Sequence, residues 1–127
     1  MEGQRPILAP GLQPIQAYGK GGFTIAGARH AGSVLVLPDR VLPWAVTDPD
    51  QLDEAALAPL RGAEPMPDIL VVGCGAGFVI LPPALRRAVR AWGPVVEAMA
   101  TPAACRTYNV LLAEGRRVAA ALIAIAE

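Results

Sequence analysis

Over residues 69–125 the chain alternates short apolar runs with helical stretches, and almost nothing separates one element from the next. Few folds satisfy this pattern, because parallel strands need a crossover of a dozen or more residues between them, and that crossover is usually a helix. Residues 69–72 (ILVV) form a brief run that stops at Gly73, Gly75 and Gly77, as a strand buried on both faces does. Pro83 suits the first turn of a helix, where its missing N–H costs nothing. Leu85, Val89 and Trp92 then share one face, Arg86, Arg87 and Arg90 turn away, and Gly93 supplies a left-handed stop. Residues 95–99 predict a second strand. Thr101 followed by Pro102 predicts a helix start, with the threonine as cap, and its apolar stripe is Ala104, Tyr108, Leu111 and Leu112, ending at Gly115. Residues 118–125 predict a third buried strand. Two strand–helix–strand units in succession imply right-handed crossovers and a parallel βαβαβ core.

The first half has a different grammar. Phe23 to Ala28 and Ser33 to Leu37 read as two strands of an N-terminal β-hairpin, turning near Arg29 to Gly32. Trp44, between Pro43 and Pro49, belongs to an irregular segment or short strand across the sheet. Asp50 can cap a brief helix over residues 52–57, which Pro59 ends or bends, and residues 62–67 form a connecting loop. The expected architecture is α/β: one domain over residues 1–127, with residues 1–14 extended or poorly ordered.

The chain has 127 residues, enough to bury a core, and its 54% hydrophobic against 17% charged content makes a partner or homo-oligomer interface a reasonable expectation. No run approaches the roughly 18 residues of a membrane span, and the first residues show no signal-peptide core. A cytoplasmic protein is the default, peripheral to a membrane only through a partner. Residues 1–68 carry 5 basic and 8 acidic groups, net −3; residues 69–127 carry 6 and 3, net +3. Neither that excess nor a 5% aromatic content makes a nucleic-acid footprint. Arg86, Arg87 and Arg90 are instead a candidate surface for an acidic protein partner, set against the plainer reading of a solvated helix face.

The turn Gly73-Cys74-Gly75-Ala76-Gly77-Phe78 follows a strand as a dinucleotide fingerprint would, but Phe78 stands where the third glycine belongs and no P-loop lysine follows. Ligands in open α/β sheets bind at the C-terminal ends of the strands, so Gly73, Cys74, Gly75, Thr101, Cys105, Arg106 and Asn109 are candidate ligand-binding residues of one crevice, with Arg106 available to an anion. Cys74 and Cys105 could converge there, and a helix start would favour the Cys105 thiolate. Cys105 also falls on the buried stripe, where a small inert residue is the simpler account. Two cysteines without histidine or carboxylate at ligand spacing make no zinc site, so neither metal nor cofactor is expected. His30 reads as an exposed turn residue and Ser33 as a strand start, not a nucleophile elbow. Asp48, Asp50, Asp53 and Glu54 are explained by helix capping. Glu97 interrupts an apolar strand and is either buried with Arg116 or Arg117 beside it or simply exposed at the sheet edge.

Residues 18–38 (YGKGGFTIAGARHAGSVLVLP), Trp44, the stretches ILVVGCGAG and LPPALRRA, and VEAMATPAACRTYNVLLAEGRRVAAALI together resemble the family of mitochondrial respiratory complex I assembly factor 3 and its small bacterial relatives. Thr101, Ala104, Thr107, Tyr108, Asn109, Glu114, Arg116 and Val118 are the specific part. The resemblance implies a three-layer α/β domain with a mixed central sheet. It also implies action by association during assembly of a membrane-bound NADH dehydrogenase, and it transfers no catalytic residue. No mitochondrial targeting presequence is expected from the opening residues, and the alanine- and arginine-rich composition suits a bacterial protein. Two functions follow as expectations: a non-enzymatic interaction or assembly factor and, as the alternative, a small-molecule binder or enzyme using the strand-end crevice.

Overall fold

The computed structural model describes residues 12–77 and 79–127; most of the stretch expected to be extended, residues 1–11, lies outside the described residues. Eight strands are described: β1 (Ile15–Gly19), β2 (Gly22–Ile25), β3 (Ala28–Ala31), β4 (Ser33–Val36), β5 (Val41–Trp44), β6 (Ile69–Gly73), β7 (Val95–Met99) and β8 (Val118–Leu122). The helices are α1 (Glu54–Leu57), α2 (Pro83–Trp92) and α3 (Thr101–Ala113). A five-stranded sheet runs β5-β4-β8-β6-β7, and β1, β2 and β3 make a second, antiparallel sheet.

The predicted βαβαβ half is present as a parallel core: β6 pairs with β7 on one side and β8 on the other, with Val71 opposite both Glu97 and Ala120. Because strand side chains alternate, the large sheet has two buried faces. Leu70, Val72, Ala119 and Ala121 face a core that includes Leu57 of α1 and Leu85 and Val89 of α2. Val71, Val118, Ala120 and Leu122 face Ala104, Tyr108 and Leu112 of α3, with Phe23 and Ile25 of the small sheet. The sheet is thus the middle of three layers. β8 lies at its centre, and Ala119, Ala120 and Ala121 are each 0% exposed, which explains a strand rich in residues that ordinarily favour helix.

The N-terminal pairing differs from the hairpin read from the sequence. β2 turns back at Ala26 (φ 49) and Gly27 (φ 86) to pair with β3, and β1 turns into β2 at Lys20 (φ 56) and Gly21 (φ 76). Two successive residues of positive φ are the geometry that matches strand twist in a two-residue hairpin. Ala26 disguises the first turn, since asparagine or aspartate usually stands there. Residues 29–31 therefore continue a strand, and His30 faces Phe23 across the ladder instead of sitting in a turn. β4 leaves this hairpin for the large sheet, pairing antiparallel with β5 and β8.

Two smaller expectations also change. Asp53, not Asp50, caps α1 by accepting from Ala56 N at 2.8 Å, while Asp48 caps a 3-10 turn over Pro49–Gln51. β8 ends at Leu122, short of Ile125, because the ladder is broken: Ala124 N donates to Ser33 Oγ (2.9 Å) and Gly21 N to Ile125 O (2.8 Å). Of the two readings of Glu97, the structure has exposure on the edge strand β7, and Arg117 meets Asp68 at 3.5 Å. Trp44 ends the short edge strand β5, where the preceding Pro43 is tolerated, and its Nε1 donates to Ala56 O at 2.8 Å.

Candidate functional site

At the C-terminal ends of β6 and β8, where a parallel sheet offers ligands its crevice, the chain places a threonine. Thr101 is the first residue of α3, and the cap position before it belongs to Ala100, so the hydroxyl is free for other work than the capping expected from sequence. Thr101 Oγ1 accepts from Gly75 N at 2.9 Å and donates to Ile123 O at 2.7 Å. Thr101 N also donates to Gly75 O at 2.8 Å. The residue is fully buried. Gly73 explains how the helix comes so near: a Cβ at that position would sit 2.9 Å from Thr101 Oγ1 and 3.0 Å from Leu122 Cδ2. Strand ends and helix start are joined, and the hydroxyl's donor is spent.

The other candidates do not gather around this point. Cys74 packs in the core on the α2 side of the sheet and Cys105 in the core on the α3 side, so the two free thiols lie on opposite faces and do not converge. Both are buried. Burial pushes the Cys105 thiol up to about 12, with the nearby Arg106 charge opposing only in part. Desolvation thus outweighs the helix start that was expected to favour a thiolate. Burial raises Cys74 as well, against a hydrogen bond from the Met99 backbone. Arg106 points to solvent. Asn109 lies two turns along α3 and behaves like a strand partner, its Oδ1 accepting from Ile15 N (2.9 Å) and its Nδ2 donating to Ile15 O (2.7 Å). A cavity of about 440 Å³ does open at this end of the sheet, but of the seven candidates only Cys74 and Gly75 line it, along with Asp48 and the tail after β8.

The arginines do gather. Arg86, Arg87 and Arg90 surround a shallow depression of about 240 Å³ with Val95 and Val96 of the edge strand. Two of them have structural duties that sequence could not reveal. Arg86 Nη1 donates to Val96 O at 3.0 Å, covering the sheet edge, and Arg90 Nη1 donates to Gly93 O at 2.8 Å, closing the end of α2. Arg87 is exposed, and Val95 beside the group is 44% exposed. Among the described residues no three metal-binding side chains cluster, and no helix is long and apolar enough to cross a membrane.

Residues 15–123 match the model of a family described as proteins of unknown function, DUF498/DUF598. The chain belongs to that family. It is 45% identical over 113 residues to an uncharacterised protein of Rhodobacter capsulatus, covering 89% of this chain and 86% of the relative. It is 39% identical over 109 residues to the mouse NADH dehydrogenase [ubiquinone] 1 alpha subcomplex assembly factor 3. That match takes in 86% of this chain but 59% of the mouse protein, so this DUF498 domain spans about three fifths of that longer relative. In structure it is similar to a Bordetella pertussis protein described as a Mth938-like domain, with a TM-score of 0.80, 31% identity, and coverage of 94% of this chain and 90% of the other.

Two consequences can be measured. Thr101→Val strips a donor and an acceptor from buried backbone groups and is expected to cost about 2–5 kcal/mol in urea unfolding, whereas Thr101→Ser, which keeps both bonds, costs about 1 kcal/mol. Cys105 binds its proton more tightly folded, with a pKa near 12, than at its ordinary 9.0. Its contribution is therefore complete below about pH 8 and is lost as pH rises from 9 towards 12, at a slope of up to about 1.4 kcal/mol per pH unit. Buried Tyr108, also raised by desolvation, adds to the same alkaline loss. Unfolding curves of wild type and Cys105→Ala between pH 8 and pH 11 should converge as pH rises; parallel curves would show that Cys105 does not titrate differently on folding.

Proposed function

We propose that this chain is a non-enzymatic assembly factor that binds a protein partner during biogenesis of a membrane respiratory complex of the NADH dehydrogenase kind, and that it reaches the inner membrane through that partner. The observation that carries the reading is the extent of the likeness to the mouse assembly factor: the 109 aligned residues take in 86% of this chain. On the surface, three guanidinium groups beside an exposed valine on an edge strand are suited to an acidic partner with a small apolar anchor. Arg87 is the residue to test, because replacing Arg86 or Arg90 also removes a hydrogen bond within the fold.

The alternative, a small-molecule site at the strand ends, draws little from the geometry. Thr101 is engaged with Gly75 and Ile123, Cys105 lies in the opposite core, and Asn109 is held by Ile15. Arg106 is separated from them by its exposure.

Tagged protein purified from a mild-detergent extract should bring with it subunits of a membrane-bound NADH dehydrogenase. Arg87→Glu should reduce that recovery by about tenfold while leaving the thermal midpoint within a few degrees of wild type, since exposed charges contribute little to stability. Undiminished recovery by Arg87→Glu would remove the arginine face from the account, and no recovery by wild type would remove the assembly role.

A further inference from the structure

We propose that a second cavity, at the end of the sheet opposite the glycine turn, binds a small amphiphilic carboxylate with its alkyl body inside and its head group at Arg116 and Arg117. The cavity measures about 360 Å³, within the roughly 300–1,000 Å³ of small-molecule sites, and lies where β8 begins at Val118. Its walls are apolar: Leu12, Pro38, Pro65, Leu112 and Val118. Two of the polar groups among these walls already have partners, Gln13 Nε2 donating to Leu37 O at 2.7 Å and Tyr108 OH donating to Gln13 O at 3.0 Å. Burial keeps the Tyr108 phenol protonated, so no charge develops inside. A ligand entering here buries carbon and finds few unspent donors, which excludes nucleotides and sugars and leaves its polar group at the mouth.

The charge at the mouth selects the head group. After α3, Gly115 turns with φ 80, and the two arginines that follow line the cavity. Arg117 meets Asp68 at 3.5 Å, an exposed pair whose side chains are 60% and 59% accessible, and Arg116 forms no ion pair among the described residues. Among the described residues that line the cavity these two arginines are the charged ones, and Asp68 offsets part of that charge at Arg117. An exposed pair of this kind is weak, so Arg117 can turn from Asp68 to a ligand carboxylate at little cost, and its planar fork matches that group. A neutral apolar ligand would fill the walls and gain nothing from the guanidinium groups; a carboxylate with an alkyl chain uses both.

Decanoate is a suitable probe, with decanol as its uncharged counterpart, each titrated below its aggregation threshold into isotope-labelled full-length protein while amide chemical shifts are followed. Decanoate should cause saturable shifts at Leu112, Gly115 and Val118, and bind about tenfold more tightly than decanol. The double substitution Arg116→Gln, Arg117→Gln should bring decanoate to the affinity of decanol and leave decanol unchanged, with the spectrum confirming an intact fold. The proposal is overturned if those amides show no saturable shift, if the two probes bind equally to wild type, or if the shifts map to the strand-end cavity instead. This site does not depend on the assembly role, and the two succeed or fail separately.

Discussion

The hydroxyl group of Thr101 joins three elements that are far apart in the sequence. It accepts from the turn after β6 and donates to the residue after β8, while its own residue begins α3. Parallel strands leave their last N–H and C=O groups unpaired unless something beyond the sheet takes them, and an unpaired buried group costs about 1–3 kcal/mol. Here Thr101 takes one donor and one acceptor, Cys74 N donates to Met99 O, and Ile123 N donates to Gly73 O. Gly73 permits this closure because no side chain stands between strand and helix. The position of α3, and with it the core containing Tyr108 and Leu112, follows from that contact.

The same closure shapes what the surface can do. A sheet whose strand ends are tied to a helix by their own backbone has little to offer a ligand at the switch point that α/β enzymes use. The features proposed for recognition lie elsewhere: the arginine cluster beside β7, and the apolar cavity near Val118 at the other end of the sheet. Even the arginines are only partly available, because the open edge of β7 is a hazard for unwanted strand pairing and Arg86 lies across it. Protection of an edge and attraction of an acidic partner are compatible uses of one charged face.

Much of this was legible in the chain, for reasons specific to each element. β7, α2 and α3 carry local signals at their boundaries, proline at the first turns of the helices and glycine after α2, and the structure places them within a residue of the sequence reading. The hairpin was misread because its turn begins with Ala26, a residue with no turn signature, while Gly32 nearby has one and serves instead to pass the chain between sheets. The crevice residues were misjudged in a different way. Thr101, Cys105 and Asn109 do lie along one helix near the strand ends, but periodicity cannot say that one faces the strand turn, one a core and one the backbone of β1. Those orientations depend on distant elements: the turn after β6 and the end of β8 for Thr101, and for Asn109 the second sheet, 94 residues upstream at Ile15. Arg86 and Arg90 were grouped correctly by helical spacing, yet their hydrogen bonds to Val96 and Gly93 depend on how α2 returns along β7.

Native-state hydrogen exchange at the Gly75 amide tests most directly whether the Thr101 junction holds the fold together. If it does, that N–H exchanges only through global unfolding, with the same opening free energy as the central amides of β6 and β8. Exchange through an opening several kcal/mol easier, while β6 and β8 remain protected, would contradict the account: the junction would then be a local feature of a mobile strand end, and the crevice beside it would be free to open.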